Sequence, residues 1–171
     1  GLRNLHPAAA WDEVRGDLAA AAEADARNRA PDGTGWTALH VIAPPAADFA
    51  ATGLTVAALR GALAPLLPRV ARFHATASAA IGRADDPGER DPYGSYDDDP
   101  VCYGFDTGCY LKAEPAGEQV RAIWYQAETA DAAQLAALRA AFRAIDALVP
   151  AIVADYPLDA AGRIADAAFL D

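Results

Sequence analysis

The chain has 171 residues, a formal charge of −10 and a sequence pI of about 4.6. That length fits one domain over 1–171 and buries about 68–70% of the unfolded surface, so neither a metal nor a disulfide is needed to hold the fold. The acidic balance excludes nucleic acid and anionic membrane as expected partners, because both present phosphate, and no apolar run reaches the ~18–20 residues of a membrane span.

The hydrophobic fraction is 53%, but about a quarter of all residues are alanine. Alanine buries little and favours helix, so the core must come from the sparser Leu, Ile, Val, Phe, Trp and Tyr. The first residues, Gly1-Leu2-Arg3-Asn4, have no signal-peptide core. The cytoplasm is the expected compartment, with an exported mature form as the alternative.

Residues 8–29 read as a helix, with Trp11, Val14, Leu18, Ala21 and Ala22 at helical spacing and Pro31-Asp32-Gly33 as its stop. Trp36 to Ala43 reads as a strand ended by Pro44-Pro45. Thr55 is a good N-cap for a second helix. Its stripe would be Leu59, Leu63, Leu66, Leu67, Val70, Phe73 and Ile81, kinked or split at Pro65 and Pro68. Residues 83–100 form a long turn-rich loop carrying Asp85, Asp86, Glu89, Asp91, Asp97, Asp98 and Asp99 around Tyr93 and Tyr96.

Val101–Phe105 reads as a strand turning through Asp106-Thr107-Gly108. The segments 109–114 and 119–127 then form a hairpin around Pro115-Ala116-Gly117-Glu118. Opposing Glu114 with Gln119 sets Ala113 against Val120, Leu111 against Ala122 and Cys109 against Trp124, all on one buried face. The last long helix is capped by Thr129 or Asp131, the latter at capping-box spacing from Gln134. Its stripe is Leu135, Leu138, Phe142, Ile145 and Val149, and Pro150 ends it. The tail, 158–166, reads as a turn followed by a short helical or extended piece. The predicted class is therefore α+β, a small, mainly antiparallel sheet of three to four strands with helices on one face, in the order α-β-α-β-β-β-α. Trp124, Leu111, Leu135, Leu138 and Phe142 would share its core.

Chemistry is sparse. Asp106-Thr107-Gly108 resembles the core triplet of aspartic proteases, but their mechanism needs two carboxylates sharing a proton and this chain carries one such triplet. It reads better as a hairpin turn with glycine at its left-handed position. His6, His40 and His74 have no partners at metal-ligand spacing; His40 falls on the predicted first strand between Leu39 and Val41, and His74 on the second helix. Cys102 and Cys109 match neither a redox nor a zinc pattern. The turn sets Cys102 opposite Lys112, so both are expected as buried free thiols. No cofactor or metal is called for: the acidic loop has oxygen ligands without the EF-hand spacing, and no glycine-rich phosphate loop is present.

Two functions follow. The first is a small acidic domain that binds a basic protein partner, as an immunity-type inhibitor or an adaptor does, through Tyr93, Tyr96, Asp97, Asp98 and Asp99, which combine aromatic anchors with a steering field. The alternative is a hydrolase-like enzyme whose site is assembled from scattered residues, with His40, Asp106 and Tyr110 as catalytic candidates.

Overall fold

The structure is a computed structural model that describes residues 3–38, 40–75, 80–90 and 92–170. Leu39 of the expected first strand and Asp91 of the expected acidic loop lie outside the described residues, as do Gly1 and Leu2. The fold is α+β. In chain order come β1 (Arg3–Pro7), α1 (Trp11–Asn28), α2 (Val56–Leu63), β2 (Arg72–His74), β3 (Ala80–Gly82), β4 (Tyr96–Asp98), β5 (Val101–Asp106), β6 (Cys109–Ala116) and β7 (Gln119–Ala127). They are followed by α3 (Ala132–Leu148), β8 (Ala151–Asp155), β9 (Ala160–Arg163) and α4 (Ala167–Leu170).

The main sheet is antiparallel and larger than the sequence predicts. It has six strands in the order β5-β6-β7-β1-β8-β9. The two strands that the sequence reading lacks, β1 and β8, pair with each other near its centre, from Arg3 opposite Asp155 to Pro7 opposite Ala151. All five residues of β8 are buried, so it has no polar alternation to betray it.

One face of the sheet carries the main core. Leu59 and Leu63 of α2 and Leu138, Ala141, Phe142 and Ile145 of α3 pack there with Leu5, Leu111, Ile123 and Val153. Tyr125 meets Phe142 edge-on at 5.0 Å. Asp131 caps α3 in a full capping box with Gln134, as its spacing predicts. The opposite face is covered in two places, which corrects the expectation of helices on one face. Val14 and Leu18 of α1 cover Ile152 and Ala154 of β8. A separate three-stranded sheet, β3-β2-β4, sets Phe73, with Val70 just before it, against Cys102 and Tyr110.

Three further expectations are overturned. Among the described residues of 36–43 no named strand forms. Trp36 folds back on α1, its backbone bridging Arg29 and its indole N–H donating to Asp25 at 2.5 Å. The second helix does not run to Ile81. It stops at Leu63, ahead of Pro65 and Pro68, whose rings remove backbone donors and clash with the preceding turn. His74 therefore sits on a strand and not a helix, and Phe73 pairs with Ile81 in a hairpin. The acidic loop is shortened at its end, where residues 96–98 form β4 opposite 72–74.

The 109–127 hairpin is present, but in another register. The turn is tighter, Ala116 facing Gln119 with Gly117 at φ +63. Glu114 then faces Ala122 and Pro115 faces Val120, so Arg121 is an extra residue on β7. This bulge lets Val120 and Ile123 enter the same core. Trp124 turns to the other face, opposite Lys112, instead of facing Cys109. Leu135 is also exposed, at 38%, outside the buried stripe of α3. Cys102 does lie opposite Lys112, and both cysteines are buried free thiols.

Candidate functional site

An open cleft of about 1230 Å³ lies where the small sheet meets the main one. Its floor is Lys112 and Glu114 on β6 and Trp124 on β7, on the sheet face away from α2 and α3. One wall is β4 with the following Asp99 and Pro100. Thr55, Val56, Ala57 and Arg60 at the start of α2, with Gly117 and Glu118 at the hairpin tip, close the other side. The hairpin bulge builds this floor: without Arg121 as the extra residue, Trp124 would face the core.

Lys112 is the organising cation. Its stem passes between two rings, with Nζ 4.7 Å from the centroid of Phe73 and 5.1 Å from that of Trp124. Its ammonium donates to Asp97 at 2.5 Å. The ammonium is nearly buried and the carboxylate half exposed. Asp98 accepts from Arg72 at 2.8 Å and Arg90 at 2.7 Å. The Arg72 hydrogen bond holds its carboxyl below the ordinary carboxylate range. Asp99 pairs with Arg69 and, at 3.4 Å, with Arg60; the Arg69 bond holds it low in the same way. Asp99 has φ +52, a left-handed conformation that Asp tolerates better than most residues. That turn presents its carbonyl to Arg60 at 3.2 Å. Glu114 pairs with Arg121.

Tyr96, Asp97, Asp98 and Asp99, singled out from sequence, thus share one wall of the cleft. The Tyr96 ring stands edge-on to His74 at 4.6 Å, with the guanidinium groups of Arg90 at 5.0 Å and Arg72 at 5.8 Å over it. Tyr93 is 95% exposed and lies outside the lining. Arg60, Lys112, Glu114, Glu118 and Trp124 belong to the site without any sequence signal beyond a lysine set in an apolar strand.

The catalytic candidates are placed differently. His40 is exposed in an irregular segment. Asp106, at the end of β5, uses its carboxylate to accept the Gly108 N–H at 2.8 Å. Tyr110 is buried edge-on to Phe73 at 5.4 Å, and burial raises its hydroxyl pKa. Among the described residues no hydrogen bond joins any two of the three, and no group of three or more His, Cys, Asp or Glu side chains could hold a metal ion. Among the described residues no helix is long and apolar enough to cross a membrane. Comparison with family models, with curated proteins and with solved structures finds no match.

Proposed function

We propose that the chain is a protein-binding module that receives a basic segment of a partner in this cleft, the role of an immunity-type inhibitor or an adaptor. One observation carries the reading. The cleft lining sets Asp97, Asp98, Asp99, Glu114 and Glu118 against Arg60 and Lys112, beside the apolar ring of Trp124. Of the arginines that pair with these carboxylates from outside the lining, Arg69, Arg90 and Arg121 have side chains more than half exposed, while Arg72, on Asp98, is largely buried. Exposed pairs are worth about 0.2–1 kcal/mol each, so incoming cations can take their place at small cost. A ring on the floor supplies the apolar contact area that charges alone lack.

The test selects binders from a random decapeptide library displayed on phage and maps them on the isotopically labelled protein by NMR. Peptides rich in Lys and Arg are expected. Their shifts should centre on Lys112 and the Trp124 indole, and affinity should fall at least tenfold as salt screens the charges. Replacing Asp97, Asp98 and Asp99 together by Asn should abolish the basic preference. Binders without a basic excess, or binders mapping away from the cleft, overturn the reading.

A further inference from the structure

β4 is an edge strand, and the hydrogen-bond pattern of the small sheet tells which way its backbone faces. Asp99 N–H donates to the Ala71 carbonyl at 2.8 Å and Ala75 N–H to the Ser95 carbonyl at 2.9 Å. In an antiparallel pair, bonded and non-bonded positions alternate. The 71–99 and 75–95 pairs are bonded, so 73–97 between them is bonded too. The N–H and C=O of Asp98 then point away from β2. The cleft is lined by β4 but by no residue of β2 or β3, so it lies on that outer side.

The main sheet beneath is only partly covered there. Asn4 on β1 and Ala122, Trp124 and Gln126 on β7 are half-buried. Asn4 sits opposite Trp124, on the face away from the main core. They form a strip between the small sheet and α1. A strand lying about 4.8 Å outside β4 would run over it.

We propose that the basic segment docks as a strand added to the outer edge of β4, a mode that rests on the cleft reading above and specifies it. The side chains of β4 fix the pattern the segment must carry. Asp97 points down to Lys112, while Asp98 points to the opposite face, toward Arg72 and Arg90. An added strand alternates likewise. Its downward side chains meet Trp124 and are apolar; its upward ones stand beside Asp98 and are basic, taking the place of the exposed Arg90 on that carboxylate while Arg72 stays. Main-chain bonds supply affinity and the alternating side chains supply selectivity.

The experiment uses the most enriched decapeptide from the library. Its sequence should alternate basic and apolar residues. N-methylation of every second peptide bond should weaken binding at least tenfold, with the intervening positions changing it less than twofold. Exchange of the Asp98 amide hydrogen should slow at least tenfold in the complex. Asp98→Pro removes the outward N–H without breaking a bond of the small sheet, an arrangement edge strands accept. It should bind at least tenfold more weakly than Asp98→Asn, which loses the charge alone. Binding that maps to the cleft but tolerates N-methylation everywhere and leaves Asp98 exchange unchanged overturns strand docking and leaves the cleft reading standing. Binding that maps elsewhere, or a library yielding no enriched peptide, overturns both.

Discussion

Replacing Asp97 by Asn should cost far more than replacing the lysine it pairs with. The Lys112 side chain is 12% exposed and that of Asp97 49% exposed. Removing the carboxylate strands an ammonium that has two ring faces and little water around it. Exposed pairs are worth about 0.2–1 kcal/mol, and removing one partner of a fully buried pair costs about 3–5 kcal/mol. With one member buried and the other half exposed, Asp97→Asn should cost about 2 kcal/mol. Lys112→Met keeps an unbranched stem between Phe73 and Trp124, and it leaves a carboxylate that water already reaches. Its cost should be about 1 kcal/mol or less. In the Lys112→Met background, Asp97→Asn should then cost under about 0.5 kcal/mol, a coupling of about 1.5 kcal/mol. Urea unfolding of the four proteins completes the cycle. Equal costs for Asp97→Asn in both backgrounds would refute the claim that this pair clamps the small sheet onto the large one.

His6 on β1 has its Nε2 buried without a hydrogen-bond partner among the described residues, and burial, opposed by Glu13, pushes its pKa down to about 4. The unfolded chain, whose histidine titrates near 6.5, binds the extra proton between those two values. Stability should therefore fall as pH drops from about 6.5 to about 4, by up to about 3 kcal/mol. Urea midpoints across that window should show this slope in the wild type and lose it in His6→Gln. Burial raises the Cys102 thiol to about 12 and the Cys109 thiol to about 11. Both should resist a thiol reagent at pH 8 while the protein is folded and react fully in denaturant, and alkylated, non-reduced protein should carry both labels by mass spectrometry. Gly104→Ala would place a methyl group 2.5 Å from the Cys109 carbonyl oxygen and against the Tyr110 Cβ. Backbone cannot yield there, so a loss of about 3 kcal/mol or more is expected by thermal or urea unfolding; a smaller loss would show that β5 and β6 can separate locally.

Local signals were legible where they act locally. The Asp131–Gln134 cap depends on a few adjacent residues and can be read from them; Pro65 and Pro68 mark an interruption, but α2 ends there instead of continuing kinked to Ile81, and the turn at 106–109 forms without glycine in the left-handed position. Cys102 faces Lys112 as expected, but through a turn that pairs Asp106 with Cys109 and an irregularity between Gly104 and Asp106. The acidic triplet at 97–99 lies on one wall of the cleft. Its partners are separated from it by up to 39 residues of chain, as with Arg60 and Asp99, so no window of sequence shows them.

What the sequence by itself determined is the class of the protein: helices and antiparallel strands, an alanine-rich exterior over a sparse core, two free thiols, and an acidic segment beside the first strand of a meander. What only the tertiary structure decided is partnership. Five residues at Arg3–Pro7 become a central strand because β7 and β8 offer edges on both sides. The described residues of 36–43 form no named strand; Trp36 bridges only Arg29, at the end of α1. Trp124 lies over Lys112 and not in the main core because one extra residue, Arg121, reverses the faces of β7. Side-chain periodicity says which residues share a face. Which face is buried, and against what, is a property of long-range pairing, and a bulge of one residue is enough to move a tryptophan from the core to the floor of an open cleft.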